Sequence, residues 1–225
     1  MHASQHVVHS EVCHQHREES HHHEQVKTSA ILECWHLGIQ MGNAVAAVLF
    51  GDKVPEGKLS STFPKVTGQC PIYYNHPNTG RPGSKSKFTS RYLDAGFEPL
   101  YPFGYGLSYT EFAYTDLKVE ETADALNVTV TVANTGSCAG TETVQLYTQD
   151  VVGSIVRPVK ELKNFCKVTL VPGESKTVSM EVKKNALGFY NDAGEYLLED
   201  GKFRVHVGGN SRDCLTEELK ICQRQ

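Results

Sequence analysis

Two carboxylates with aromatic neighbours are the first candidates for chemistry in this sequence. Asp94 and Glu98 lie four residues apart in a segment rich in tyrosine and phenylalanine. Paired carboxylates carry general acid–base chemistry, and aromatic rings can stack on the faces of sugars. The pattern therefore indicates a possible sugar contact. The simpler interpretation is that Asp94 pairs with Arg91 and only fixes the loop.

The other reactive residues form no recognised catalytic or binding motif. Serine, histidine and aspartate are all present, but no G-x-S-x-G nucleophile motif occurs. Gly104 and Gly106 flank one tyrosine without the strand–turn–helix context of a phosphate loop, so they more simply permit a tight chain reversal. His76 stands before a proline in a turn and is expected to be structural. We predict no metal site and no cofactor.

Composition limits the classes of partner. Lys and Arg number 22 against 26 Asp and Glu, a net charge of −4 that argues against nucleic-acid binding. The longest apolar run, residues 44–50, is far shorter than the ~18 residues of a membrane span. Seven scattered cysteines without a C-x-x-C pair favour reduced thiols, with a Cys214–Cys222 disulfide across a terminal hairpin as the alternative.

The first 29 residues differ from the rest of the chain. Eight of the eleven histidines lie in the first 23 residues, where the apolar core of a secretory signal would stand. No periodicity would bury one face of this segment. We therefore expect residues 1–29 to be a disordered, His-rich leader without a signal peptide.

The elements that must position any site begin after this leader. Ala30–Leu32 is typical of a short buried strand, and Asn43 is placed to cap a helix over 44–50 that ends at Gly51. That helix is apolar on most of its surface and requires neighbours. Residues 58–64 predict a short strand that ends at a proline.

Residues 65–113, termed here the aromatic loop, form a long connection that carries ten rings. A flexible linker would be rich in Gly and Ser without rings, so this segment is expected to be ordered. Long loops of this kind line a site or clamp one domain onto another. The residues that we expect to act in such a clamp are Tyr101, Phe103, Tyr105 and Tyr109.

From residue 114 the pattern becomes all-β. An apolar residue alternates with a polar one at Leu126, Val128, Val130 and Val132. Turn sequences follow at intervals, and the first of them begins at Asn134. Further strands are predicted at 160–170, 175–183, 186–190, 195–199 and 202–208. About seven short strands with regular turns indicate an immunoglobulin-like β-sandwich, without the Cys…Trp…Cys pattern of antibody domains.

A series of motifs in one order resembles the family 3 glycoside hydrolases of the β-glucosidase and β-xylosidase type. The segments that carry the resemblance are Gly42–Asp52, Gly57–Leu59, Thr62–Pro64, Pro71–His76, Thr79–Pro82, Ser90–Asp94, Pro99–Thr110, Val144–Tyr147, Arg157–Leu162 and Pro172–Glu174. The resemblance covers residues 30–222. It implies a remnant of the family's α/β sandwich domain over 30–113 and a fibronectin type III-like domain over 114–225.

The resemblance also implies what this chain does not supply. Family members begin with a barrel that carries an aspartate nucleophile, followed by an α/β domain with the acid/base glutamate, and neither carboxylate maps onto these 225 residues. Leu37–Gly42 departs from the family's P-G-x-E-G-G pattern. We interpret the sequence as a truncated or frame-disturbed copy of an enzyme that hydrolyses terminal β-linked glucose or xylose. The parent family is often periplasmic or secreted.

For this chain alone we expect a structural, non-catalytic role. In an intact parent, Arg91, Tyr92 and Asp94 would contact a β-linked oligosaccharide, and Arg157 would help to clamp the sandwich onto the barrel or else lie in a solvated loop. One alternative is a stand-alone carbohydrate- or protein-binding module, although the rings cluster outside the sandwich. Another is complementation by a separately encoded catalytic domain.

Overall fold

The computed structural model describes residues 30–222, except for Lys85, Lys87 and Leu93. The predicted leader, residues 1–29, lies outside the described residues, so its order stays a prediction. Within the described part the chain is mainly β, as the sequence indicates.

The strands begin at Phe112 and continue nearly to the last described residue. Their bounds in chain order are β1 Phe112–Glu121, β2 Ala125–Asn134, β3 Gly140–Asp150, β4 Glu161–Leu170, β5 Ser175–Lys183, β6 Phe189–Tyr190, β7 Tyr196–Leu197, β8 Gly201–Gly208 and β9 Cys214–Ile221. Strands β1-β2-β5 form one sheet, β4-β3-β8-β9 form a second, and β6 pairs with β7. All pairings are antiparallel.

The core lies between the three-stranded and the four-stranded sheet. The alternating apolar residues of β2 are fully buried, and they meet those of β3 and β8 from the other sheet. Because strand side chains alternate between faces, each of these strands presents one apolar face to the other sheet. The predicted immunoglobulin or fibronectin type III-like sandwich is confirmed. The residues of β2, β3 and β8 that face this core with no exposed surface are Leu126, Val128, Val130, Val132, Val144, Leu146, Val205 and Val207.

Strand β3 is buried on both of its faces. Val144 and Leu146 point into the core, yet Gln145 and Tyr147 between and beside them are also buried. An antiparallel sheet commonly leaves its second face to solvent. The aromatic loop therefore covers the outer face of the four-stranded sheet at β3.

Strand β9 was not expected from the sequence. Leu215, Leu219 and Ile221 alternate correctly, but Glu217 stands where a fourth apolar residue would complete the pattern. Cys214 begins this strand and Cys222 follows its end. At ~3.3 Å per residue their backbones are about 26 Å apart, so the alternative of a disulfide across a terminal hairpin is wrong.

The N-terminal described segment has less regular structure than predicted. Helix α1 spans Met41–Leu49, with Gln40 rather than Asn43 at its N-cap, and Gly51 follows it with a φ of +83°. Residues 30–32 form no strand, and in 58–64 only Phe63 makes a β-bridge, to Tyr101. Both predicted strands are wrong. Residues 30–32 have no strand beside them in the described chain, and 58–64 bonds to the backbone of 100–105 at Leu59 and Phe63 without forming a continuous ladder. The remaining helical turns are Thr67–Gln69 and Lys184–Ala186.

Candidate functional site: the aromatic loop on the sandwich

A buried amide on β3 anchors the aromatic loop to the outer face of the four-stranded sheet. Gln145 Nε2 donates to the carbonyl of Gly104 at 3.1 Å and to that of Gly209 at 2.6 Å. Its Oε1 accepts from the Tyr147 hydroxyl at 2.5 Å. Buried polar groups must find partners, and this amide uses donor and acceptor alike. Gln145 therefore joins the loop, its own strand and the turn after β8.

Stacked rings continue this contact beside Gln145. Phe103 stacks on Tyr74 with 4.3 Å between ring centroids, and Tyr74 meets Tyr147 edge-on at 5.7 Å. The Tyr74 hydroxyl accepts the Leu162 N–H at 3.3 Å, and the Phe103 carbonyl accepts the Ser211 N–H at 2.9 Å. Burial raises the pKa of Tyr147. Phe103 thus packs the aromatic loop onto the outer face of the sandwich, and its part in an interdomain clamp stays a prediction.

A buried ion pair makes the second polar link. Lys58 Nζ lies 3.1 Å from Glu142 Oε1 and donates to the Gly106 carbonyl at 2.9 Å. The Tyr114 hydroxyl donates to the same carboxylate at 3.1 Å. Burial raises the pKa of Glu142, and Lys58 and Tyr114 partly oppose that rise. Sequence reasoning missed this link, although Lys58 stands inside the G-K-L motif that carries the resemblance.

The three tyrosines of the predicted clamp contact different elements from Phe103. Tyr101 and Tyr105 stack on each other at 5.0 Å, and their carbonyls accept the N–H groups of Phe63 and Leu59. Tyr109 donates from its hydroxyl to the Val48 carbonyl at 2.6 Å. These rings therefore bind the aromatic loop to the segment before it and to the end of α1.

Arg157 lies in a buried cluster at the end of β3. Its Nη2 lies 3.1 Å from Glu161 Oε2, its Nε lies 3.6 Å from Asp150 Oδ2, and its Cζ lies 4.6 Å from the centre of the Phe189 ring. The side chain is 10% exposed, so the alternative of a solvated loop does not describe it. The backbone around it also pairs with the aromatic loop, through a bridge between Pro158 and Pro77.

Lys160 is a further buried cation, and it lies on the outer face of the four-stranded sheet. Lys160 Nζ donates to the Ser211 carbonyl at 2.6 Å and lies 5.7 Å from the centre of the Tyr147 ring. Burial lowers its pKa. His206 bonds through Nδ1 to Thr216 Oγ1 at 2.8 Å. Burial, with the nearby positive charge of Lys160, lowers the pKa of His206 to about 4. Lys160 lies in the Arg157–Leu162 motif that carries the resemblance, but its burial was not expected, and His206 was not singled out from the sequence.

The predicted sugar-contact residues lie together in one turn of the aromatic loop. Tyr92 and Gly96 form a backbone bridge, and the Tyr92 ring and Asp94 are exposed. Asp94 Oδ1 accepts the N–H of Ala95 at 2.9 Å. Among the described residues no ion pair joins Asp94 to Arg91, whose Nε is buried without a hydrogen-bond partner. The expected Arg91–Asp94 pair is therefore wrong.

The part of the chain that the structure describes contains no cluster of metal ligands and no membrane-spanning helix. No three His, Cys, Asp or Glu side chains of these residues come together as metal ligands. No helix there combines the length and the apolar character needed to cross a bilayer.

Comparison with known protein families accounts for both halves of this arrangement. Residues 5–109 match the glycosyl hydrolase family 3 C-terminal domain, and residues 142–211 match the fibronectin type III-like domain. The chain belongs to the C-terminal part of the family 3 glycoside hydrolases. The first match starts at residue 5, inside the predicted leader, so the boundary at residue 29 stays a prediction.

Curated relatives of this chain carry glycosidase names. The chain is 48% identical over 195 residues to the periplasmic β-glucosidase of Salmonella typhimurium, a match that covers 84% of this chain and 26% of the relative. It is 41% identical over 198 residues to a β-xylosidase of Formosa agariphila, covering 85% and 27%. The chain thus spans about a quarter of the length of the curated relatives that it matches.

Solved structures show the same relation in three dimensions. The β-glucosidase of Listeria innocua in complex with gluconolactone superposes with a TM-score of 0.81 at 44% identity, covering 88% of this chain and 28% of that chain. The same enzyme, as a D270A mutant, has been solved with laminaribiose. The family 3 resemblance is confirmed, and the match is confined to the C-terminal region of these enzymes.

Proposed function

We propose that this region is the structural, non-catalytic C-terminal part of a retaining β-glucosidase-like glycoside hydrolase. The whole enzyme would release terminal β-linked glucose or xylose from oligosaccharides, as the names of the relatives suggest. The observation that carries the structural role is the buried amide of Gln145, which bonds the aromatic loop to the sandwich. Loop and sandwich therefore act as one platform.

The buried carboxylates of this chain support a structural role because their neighbours hold them in place. Retaining hydrolysis uses two carboxyl groups about 5–5.5 Å apart on either side of a sugar. Glu142 is held by Lys58 and Tyr114, and Asp150 is held by Arg157. Neither is available to flank a glycosidic bond. The nucleophile and the acid would come from the remaining three quarters of an enzyme of this family.

Contact with the substrate would fall to the turn around Tyr92. The exposed ring of Tyr92 and the exposed carboxylate of Asp94 are groups that bind sugar faces and sugar hydroxyls, and Arg91 stands beside them in the same turn. We therefore assign Arg91, Tyr92 and Asp94 to a β-linked oligosaccharide in the complete enzyme. The catalytic part would either precede this region in one polypeptide or be encoded separately.

Two proteins test the proposal: the 225-residue chain, and a chimaera in which it replaces the matching region of the Salmonella β-glucosidase. Aryl β-glucoside and aryl β-xyloside are the substrates. We expect turnover by the chimaera and none by the chain alone. In the chimaera Tyr92→Ala and Asp94→Ala should raise KM, whereas Tyr190→Ala, at a still more exposed ring on the sandwich, should not.

Three results would count against this function. Turnover by the purified chain that disappears in Asp94→Ala would place catalysis within these 225 residues. A folded chimaera without turnover would show that the platform does not serve a glycosidase. Calorimetric binding of cello-oligosaccharides by the chain alone would favour the stand-alone binding module instead.

A further inference from the structure

Gln69 is a buried amide that lies outside the sandwich, at the end of the helical turn Thr67–Gln69. The residue is 4% exposed. Its Oε1 accepts the backbone N–H of Lys65 at 2.6 Å, and its Nε2 donates to the carbonyl of Glu98 at 3.2 Å. A buried amide needs partners for its donor and for its acceptor, and Gln69 has both. It therefore joins its own segment to a residue 29 positions further along the chain.

The bond to Glu98 lies at the base of the turn that the proposed function assigns to the sugar. We term residues 91–96 the Tyr92 turn. The N–H of Tyr92 closes it by donating to the Gly96 carbonyl at 3.2 Å. Only Phe97 separates Gly96 from Glu98, and the Phe97 ring lies where a Cβ on Gly83 would come within 2.7 Å of it. Because this connection is short and packed, a displacement of the Glu98 backbone is passed on to the Tyr92 turn.

The other side of the Gln69 tether is itself held in place. Phe63, two residues before Lys65, accepts the N–H of Leu100 on its carbonyl at 2.8 Å. The backbone of residues 98–100 is therefore bonded at two points to residues 63–69, at Glu98 through the Gln69 side chain and at Leu100 through Phe63. Removal of the Gln69 amide leaves only the second point, which lies further from the Tyr92 turn.

We propose that Gln69 is a positioning residue that fixes the Tyr92 turn where its exposed ring and the Asp94 carboxylate meet a β-linked sugar. The Gln69 side chain does not touch the sugar itself, since it is buried and both of its polar ends bond to backbone. A turn that is already ordered before binding costs less entropy when the sugar arrives. The inference deepens the proposed function and rests on it.

The effect should appear in KM rather than in kcat. Contacts far from the bond that breaks hold the substrate and the transition state alike, so their loss raises KM and leaves kcat nearly unchanged. A loss of stability acts differently, because an unfolded fraction of the enzyme lowers the apparent kcat and does not alter the KM of the folded molecules. The division between KM and kcat therefore distinguishes a positioning role from a merely structural one.

Gln69→Met in the chimaera defined above, assayed with aryl β-glucoside, is the first test. Methionine has a similar length and makes neither hydrogen bond. We expect KM to rise about fivefold or more and kcat to change by less than about twofold. Asn134→Ala is the matched control, because it removes a buried amide, 1% exposed, from strand β2 of the sandwich. It should leave KM within about twofold of the unsubstituted chimaera, whatever it costs in stability.

Gln69→Glu gives a second readout, in which one folded protein is switched by pH. When protonated, the introduced carboxyl group offers an O–H to the Glu98 carbonyl and an oxygen to the Lys65 N–H, as the amide does. When ionised, it has no donor and repels that carbonyl. Burial raises the pKa of such a carboxyl group. The KM of Gln69→Glu should therefore match that of the unsubstituted chimaera at about pH 5 and exceed it about fivefold at about pH 8.

A double-mutant cycle shows whether Gln69 acts through the Tyr92 turn. In a Tyr92→Ala background, Gln69→Met should raise KM by less than about twofold, since the contact that it positions is already lost. Independent, multiplying effects of Gln69→Met and Tyr92→Ala would contradict positioning through this turn. Should Gln69→Met fail to fold, Gln69→Glu at the two pH values decides the question alone.

The outcomes keep this inference apart from the proposed function. An active chimaera in which Tyr92→Ala raises KM and Gln69→Met does not would overturn the positioning role and leave the function intact. Equal rises of KM in Gln69→Met and Asn134→Ala would also overturn it, because the effect would then be general. A folded chimaera without turnover would overturn the proposed function and this inference with it.

Discussion

Gly104 and Gly194 share a backbone φ of +79°, but only Gly104 has its missing Cβ position filled by another residue, Gln145. A left-handed φ strains any residue with a Cβ, so a substitution by alanine introduces the same backbone strain at both positions. At Gly104 a Cβ would also collide with the side-chain oxygen of Gln145, whereas at Gly194 it would meet open space. The comparison separates backbone strain from the packing of the loop on the sandwich.

We expect Gly104→Ala to lower the free energy of unfolding by about 3 kcal/mol or more, and Gly194→Ala by about 1 kcal/mol. The additional loss at Gly104 comes from displacement of the Gln145 amide and its hydrogen bonds. Urea unfolding followed by tryptophan fluorescence and by far-UV circular dichroism measures both variants. Equal losses in the two alanine variants would contradict the close packing of Gly104 on Gln145.

The buried His206 should make the fold less stable in acid. Its pKa is lowered from 6.5 to about 4, so the unfolded chain binds a proton between these values while the folded chain does not. Proton uptake by the unfolded state means that the free energy of unfolding falls as pH drops from about 7 to 4. The expected loss is about 3 kcal/mol.

Urea titrations at pH 7, 5.5 and 4 check this pH dependence. His206→Gln should flatten the curve between pH 6.5 and 4, even if it is less stable at pH 7. His76→Gln, at an exposed histidine, is the control and should leave the slope as it is in the parent chain. A slope that survives His206→Gln would assign the acid sensitivity to other groups.

The Lys58–Glu142 pair should couple strongly because it is nearly dry. The two side chains are 14% and 5% exposed, whereas those of the Lys202–Glu218 pair are 68% and 40% exposed. Removing one partner of a buried pair leaves an uncompensated charge and costs about 3–5 kcal/mol, and exposed pairs contribute about 0–1 kcal/mol. Lys58→Met should therefore destabilise the chain far more than Lys202→Met.

Two double-mutant cycles in urea measure these couplings. One combines Lys58→Met with Glu142→Gln, and the other combines Lys202→Met with Glu218→Gln. We expect a coupling above about 1.5 kcal/mol for the buried pair and a much smaller one for the exposed pair, which water screens. Similar couplings in both cycles would mean that Lys58 does not fasten the segment before the aromatic loop to the sandwich.

Asn134 should be among the least replaceable polar residues of the sandwich. Its amide donates to the carbonyls of Cys138 and Leu170, and its Oδ1 accepts from Thr110 Oγ1 and the Gly136 N–H. Since the side chain is 1% exposed, Asn134→Ala leaves several buried groups without partners. We expect a loss of about 3 kcal/mol in the free energy of unfolding.

Asn164→Ala is the matched control for this residue. Asn164 is half-buried on β4, where its amide donates to the Glu181 carbonyl and its Oδ1 accepts the N–H of the next residue, Phe165. Its replacement should cost less than about 1 kcal/mol in urea unfolding. A similar loss in both variants would indicate that the network around Asn134 adds little to stability.

The sequence by itself determined the sandwich, because strand periodicity is a local property. The alternation at Leu126, Val128, Val130 and Val132 specifies a buried face wherever a second sheet packs on it. The motifs from Gly42 onward likewise determined the family, because a sequence motif can be recognised without knowing which residues it contacts in the fold. Even Gly51 could be placed at a helix end, because its left-handed φ is a local requirement.

The tertiary structure alone decided which polar side chains meet. Lys58 and Glu142 are 84 residues apart, and Gln145 and Gly104 are 41 residues apart, so no spacing in the sequence relates them. Lys160 likewise bonds to Ser211, 51 residues away, and His206 bonds to Thr216 on the neighbouring strand, so their burial also depends on the fold. The predicted strand at 30–32 did not form because a strand needs a partner. The backbone of 58–64 pairs with the aromatic loop at Leu59 and Phe63 without a continuous ladder, and both outcomes are properties of the fold.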